Sequence, residues 1–309
     1  MSNRIAIIEC FNNSQSAKNG NSTIAHIRNN KIIAKYLGCE YFITEADLDY
    51  AGEMKWDTLL FTNSSAFADH KDIKKLINNN KSARKIFITN DYKTNPHSEL
   101  NKYEYEVIGN FRAKENDKKK RKHYFLNLNA LMAKAPLKQT EKKLDCVYWG
   151  ACREDRIPYF QKYFMRNNIY VSTTLKARPK FIEAGCSARF IQPVDWNKSL
   201  TNLFRYSLYI EDNWIHQNFH NLANRWYEAG IYNNVTFFDR DCLNTVYQSE
   251  IADVFDEYYT VGSFSELMRK IAECNKDWQK HLEVQKEWHK IDLITRNKVL
   301  QEIKRIVEG

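Results

Sequence analysis

The chain has 309 residues, 43% of them hydrophobic, enough to build two α/β domains with cores of their own, and this excludes global disorder. Seven cysteines at wide spacings with no C-x-x-C exclude a disulfide framework and a structural zinc site. No apolar run is long enough to span a bilayer and no signal-peptide core follows Met1, so the chain reads as cytoplasmic, with no membrane partner.

The first half opens on an apolar β-branched run, Arg4 to Ile8, followed by a turn-rich stretch to Asn21. Ser22 or Thr23 then caps a predicted helix with Ile24, Ile27, Ile32, Ile33 and Leu37 on its apolar face, ended by Gly38. Short apolar runs recur at Tyr41–Ile43, Thr58–Phe61, Lys85–Ile88 and Tyr105–Ile108. Strands spaced by helix-like segments predict βαβ units on a parallel sheet.

A basic stretch, 111–143, interrupts the pattern with eleven Lys/Arg against three acids, which is nearly the whole net charge of +9. Lys118, Lys119, Lys120, Arg121 and Lys122 are contiguous and would repel one another in a packed element, which predicts an exposed loop. Such a loop serves equally as a solvated linker or as an attractor of nucleic-acid phosphates.

The β-first pattern then restarts with Leu144–Trp149, Gly150, a helix over 157–166 and a strand at Ile169–Val171. Further strands are expected at Ala188–Ile191, Tyr206–Ile210, Val235–Phe238 and Tyr258–Val261. Ser263-x-x-Glu266 is a capping-box pattern, and Leu293, Val299, Leu300, Ile303 and Val307 recur at helical spacing to the end. The expected organisation is an N-terminal Rossmann-like domain (1–110), a basic linker (111–143), a second Rossmann-like domain (144–290) that binds a nucleotide, and a C-terminal helix (291–309) returning to the first domain.

In open α/β sheets, ligands gather beyond the carboxyl ends of the strands. Three clusters stand there. Asp91 follows the strand ending at Ile88 and is either a general base or a turn residue. Gly150, Arg153 and Arg156 follow the strand ending at Trp149, where glycine and two guanidinium groups suit a phosphate. Asp212 follows the strand ending at Ile210. Arg225 and Glu228, three apart, then share a helix face, as a diphosphate and ribose pair or as a surface ion pair. His26 lies early in the first helix. No Walker loop, nucleophile elbow or H-E-x-x-H is present, and no metal site is expected.

Taken together these segments resemble the bacteriophage DNA β-glucosyltransferases. The resemblance is carried by Ile5–Ile8, Leu60–Ser65, Ile88–Asp91, Leu144–Gly150 with Arg153 and Arg156, Ile210 and Asp212, Asn218-Phe219, and Arg225–Glu228. It implies a GT-B α/β fold, two doubly wound domains facing a central cleft. It implies Asp91 as general base, Arg153, Arg156 and Arg225 on the diphosphate, and Glu228 on the ribose. Asp212 matches an acid of the family's cleft, Val194 falls near a backbone contact to the uracil, and His26 replaces a glutamate beside the donor sugar. The expected activity is inverting transfer of a sugar from a UDP-sugar to the hydroxymethyl group of a modified pyrimidine in duplex DNA, with no tightly bound cofactor and a divalent metal at most accessory. Glucose is the first expectation for the sugar, with arabinose or another sugar open. The chain is expected to act as a monomer, with the 118–122 run on DNA phosphates. A glycosyltransferase acting on another acceptor and a non-catalytic DNA-binding protein of the same fold are the alternatives.

Overall fold

The computed structural model describes residues 3–9, 23–42, 45–63, 65, 70–90, 95–111, 121–138, 140–150, 152–166, 168–191, 200–211 and 221–309. It divides into two compact units, Met1–Met132 with Arg296–Gly309, and Ala133–Thr295.

The first unit is a six-stranded sheet in the order β2-β1-β3-β4-β5-β6, with every neighbouring pair parallel. Its strands are β1 (Ile5–Ile8), β2 (Glu40–Phe42), β3 (Thr58–Thr62), β4 (Arg84–Thr89), β5 (Glu106–Gly109) and β6 (His123–Phe125). Helices α1 (Thr23–Leu37), α2 (Glu45–Glu53) and α3 (His70–Asn79) connect the first four strands. The strands read as continuous apolar runs because both faces are covered. Ala6, Ile8, Leu59, Phe61, Phe87 and Val107 bury one face with Leu48 of α2 and Ile73, Leu76 and Ile77 of α3. Ile5, Ile7, Leu60, Ile86, Ile88 and Ile108 bury the other, with Ile33 of α1, Leu128, Leu131 and the C-terminal Val299, Leu300, Ile303, Ile306 and Val307. Each strand thus sends alternate side chains to the two cores.

Part of the expected linker is not a linker. His123–Phe125 extends the sheet as β6, and the turn of 3-10 helix after it, Leu128–Met132, is almost wholly buried. Lys142, counted in the basic stretch, is also no surface charge. It is 8% exposed and donates to the carbonyl of Tyr232 at 2.5 Å, and burial drives its pKa down to about 7.

The second unit repeats the scheme in the order β12-β11-β10-β7-β8-β9, again all parallel. It comprises β7 (Leu144–Trp149), β8 (Ile169–Ser172), β9 (Arg189–Ile191), β10 (Phe204–Tyr209), β11 (Val235–Asp239) and β12 (Thr260–Val261). Its helices are α4 (Ile157–Tyr163), α5 (Arg178–Glu183), α6 (Asn224–Ile231), α7 (Leu243–Val246), α8 (Phe264–Cys274) and α9 (Trp278–Glu308), of which the part from Arg296 onward counts with the first unit. The expected doubly wound α/β pattern is therefore present in both sheets. The capping box also forms: Ser263 Oγ accepts from the Glu266 N–H at 3.2 Å. The Glu266 carboxylate accepts from the Gly262 N–H at 2.7 Å, one residue earlier than the motif requires. The six described cysteines are all free, and no helix among the described residues is long and apolar enough to cross a membrane.

Candidate active site

In the second sheet the strand order reverses at β7 and β10. From β7 the chain winds toward β8 and β9, and from β10 toward β11 and β12. Crevices open at such switch points beyond the carboxyl ends of the strands. Pairing of Ser207 with Val147 sets the two strands side by side, so they deliver Trp149-Gly150 and Ile210-Glu211 to the same edge.

Two helical segments bring charge to that edge. Arg156 closes a 3-10 turn just before α4, and Arg225 and Glu228 lie on α6. The two arginines converge on Glu211. Arg156 Nη2 donates to Oε2 at 2.5 Å, and Arg225 Nη1 lies 2.9 Å from Oε1. All three side chains are nearly buried, at 5%, 11% and 2% exposure. Arg225 also donates to the Ile210 carbonyl, and its guanidinium lies 5.3 Å from the Tyr148 ring centre and 5.7 Å from that of Tyr209. Arg156 Nη1 reaches the Tyr148 hydroxyl at 3.5 Å. Burial, then the charge of Glu211, hold the Tyr209 hydroxyl well above its ordinary pKa; its oxygen accepts from the Ala223 N–H at 2.8 Å, ahead of α6.

Arg225 and Glu228 do not form the i,i+3 pair that their spacing allows. Glu228, 3% exposed, instead accepts from the Trp149 indole N–H at 2.6 Å. Gly150 is required by close approach. A β-carbon there would stand 2.7 Å from the Tyr148 hydroxyl and 3.1 Å from Arg225 Nη2. Arg153 is exposed and makes no ion pair among the described residues. Burial raises the Cys152 thiol above its ordinary pKa.

Behind the site, α6 is pressed against α9. Trp226 stacks on His289 with ring centres 4.1 Å apart and donates to Asp292 Oδ1 at 3.1 Å, while His289 Nδ1 meets Asp292 Oδ2 at 2.8 Å.

The structure thus brings together Gly150, Arg156, Arg225 and Glu228. Asp91, Val194, Asp212, Lys118, Lys119 and Lys120 lie outside the described residues. His26 is placed on α1, its side chain likewise undescribed. Arg121 is half-buried over Tyr105 at 4.2 Å, and Lys122 is exposed over Tyr124 at 5.0 Å. Sequence reasoning missed Glu211 and Trp149. Glu211 is one residue from an acid singled out at the same strand exit. Trp149 ends the strand that Gly150 follows. Among the described residues no group of three His, Cys, Asp or Glu could hold a metal ion.

No family model and no curated protein matches the chain. Solved structures do. The fold is shared with T4 phage BGT in complex with its UDP-glucose substrate, at TM-score 0.71 and 16% identity, covering 99% of this chain and 100% of that one. T4 phage BGT with UDP and Mn2+ matches at TM-score 0.69 and 15% identity over the same shares. The DNA modifying enzyme β-glucosyltransferase, solved in the presence and absence of uridine diphosphoglucose, matches at TM-score 0.69 and 18% identity, again over 99% and 100%.

Proposed function

We propose that the chain is a UDP-sugar-dependent glycosyltransferase that transfers the sugar, glucose first among the donors, to the hydroxymethyl group of a modified pyrimidine in duplex DNA. The observation that carries the reading is the convergence of Arg156 and Arg225 on a single carboxylate at the β7/β10 switch point. Two guanidinium groups held within reach of one anion, at the edge where α/β sheets take their ligands, suit a diphosphate. The whole-length likeness to structures holding UDP and UDP-glucose supports the choice of nucleotide.

In this reading Arg156 and Arg225 hold the diphosphate, Arg153 adds charge from the exposed side, and Glu228, oriented by Trp149, takes the ribose hydroxyls. Gly150, Val194, Asp212 and His26 complete the donor site. The acceptor base leaves the duplex stack, since its hydroxymethyl group is otherwise out of reach. Asp91 accepts the hydroxyl proton as the acceptor oxygen bonds to the anomeric carbon, and the bond from that carbon to the β-phosphate oxygen breaks in the same step, inverting the centre. UDP departs with the bonding electrons, and the arginines stabilise the charge that builds on it. The basic run that includes Arg121 and Lys122 holds duplex phosphates.

The test is mass spectrometry of nucleosides from duplex DNA containing 5-hydroxymethylcytosine, after incubation with the protein and a panel of UDP-sugars. A nucleoside heavier by one sugar is the expected result and names the donor. Unmodified DNA with UDP still bound would move the reading to a glycosyltransferase with another acceptor. Asp91→Asn with an undiminished rate would remove the assignment of the base.

A further inference from the structure

We propose that Glu211 is an internal anion that competes with the nucleotide diphosphate for Arg156 and Arg225, and so holds nucleotide affinity down. The inference rests on the reading of this site as the UDP subsite. One carboxylate oxygen serves each arginine, at 2.5 Å to Arg156 Nη2 and 2.9 Å to Arg225 Nη1, an arrangement that imitates two phosphate oxygens. With Glu211 2% exposed, water screens the contacts little. The triad carries a single net positive charge, whereas an entering diphosphate brings at least two negative ones.

Two effects of Glu211 oppose each other. The carboxylate holds the guanidinium groups in place, which helps a ligand. It also neutralises one of their charges and occupies their donors, which hinders a ligand. The second effect is the larger. Ordering a side chain costs little beside a buried cation left without a counter-ion. The arginines moreover have other restraints. Arg225 is held by the Ile210 carbonyl and by the rings of Tyr148 and Tyr209, and Arg156 by the Tyr148 hydroxyl. They stay placed when Glu211 loses its charge. UDP carries more charge on its terminal phosphate than a UDP-sugar does, so Glu211 opposes the product more strongly than the donor and promotes product release.

The experiment is calorimetric titration of wild type and Glu211→Gln with UDP and with UDP-glucose, beside thermal melts with and without UDP. Glu211→Gln is expected to lower the unliganded melting temperature and yet bind UDP about tenfold tighter, with a smaller gain for UDP-glucose. A purely structural role would lower stability and affinity together. Unchanged or weaker UDP binding by folded Glu211→Gln would overturn the proposal and leave the nucleotide reading intact. A wild type that binds no UDP would remove that reading and the proposal with it. Should Glu211→Gln fail to fold, Glu211→Asp keeps the charge, but one methylene shorter it spans the two arginines less well. Tighter UDP binding by that variant supports the proposal and weaker binding overturns it.

Discussion

A β-carbon on Gly230 would stand 2.5 Å from His289 Nδ1, so α6 rests on α9 at a distance only glycine permits. The contact lies on the helix that carries Arg225 and Glu228, and Trp226 beside it stacks on the same imidazole. Gly230→Ala must push α6 away or turn His289 out of its bond with Asp292. The expected cost is ~1–3 kcal/mol, the usual penalty of overpacking a dense core. It is read as a lower urea midpoint with unchanged slope. UDP affinity should fall as well, because both site residues ride on the displaced helix. An unchanged midpoint would show that His289 yields freely.

Trp149→Phe keeps an aromatic ring at the end of β7 but removes the pyrrole half of the indole and with it the N–H, the donor to Glu228 at 2.6 Å. A buried carboxylate deprived of a donor costs ~1–3 kcal/mol of stability. The larger consequence is for the ligand, since Glu228 would lose the indole that helps to aim it. Affinity for UDP is expected to drop while affinity for pyrophosphate, which has no ribose, is retained. Equal losses for both would mean that Glu228 does not meet the ribose.

The strands were legible because burial on both faces leaves few ways to write them. Ile5–Ile8, Leu144–Trp149 and Val235–Asp239 are apolar or aromatic almost throughout. β6 was not legible. His123-Tyr124-Phe125 is three residues long, only half-covered, and follows a run of lysines. Its place comes from pairing with β5 and from the Tyr124 hydroxyl, which donates to Glu106 Oε2 at 2.7 Å. Arg156, Arg225 and Glu228 could be singled out because strand exits and helix starts are local signals. Their partners could not. That Arg225 meets Glu211 and Glu228 meets Trp149 depends on the β7/β10 register, a tertiary fact. Asp292 reaches Trp226 across sixty-six residues of sequence.

Glu250 gives the fold a pH dependence near neutrality. Burial, then the negative charge of Asp292, push its pKa up to about 7, although Tyr227 donates to it at 2.5 Å and partly offsets the shift. A carboxyl whose folded pKa is raised contributes stability that is complete below the unfolded value of 4.5 and is lost as pH rises through about 7. Glu250→Gln removes this loss. Its stability relative to wild type is expected to improve by ~1–3 kcal/mol between pH 5 and pH 8, discounted for partial exposure. Parallel stability–pH curves for the two proteins would refute the assignment.

The DNA reading makes a quantitative demand on the two described members of the basic run. Arg121 is stacked on Tyr105 and donates to Asn101 Oδ1 at 3.4 Å, so its guanidinium is held at the edge of the first sheet. Lys122 is exposed beside β6 over Tyr124. Each lysine or arginine that neutralises a phosphate releases counter-ions, so a plot of log affinity against log salt should lose about 0.9 of its slope per contact removed. Arg121→Gln with Lys122→Gln is therefore expected to flatten that slope by about 1 to 2 on duplex DNA, with UDP affinity unchanged. Lys122→Gln alone should act purely through charge, whereas Arg121→Gln also strips a side chain from the Tyr105 ring and should lower stability slightly. A salt slope identical to wild type in the double variant would place the duplex elsewhere on the protein. A wild-type affinity that ignores salt altogether would argue for an acceptor other than DNA.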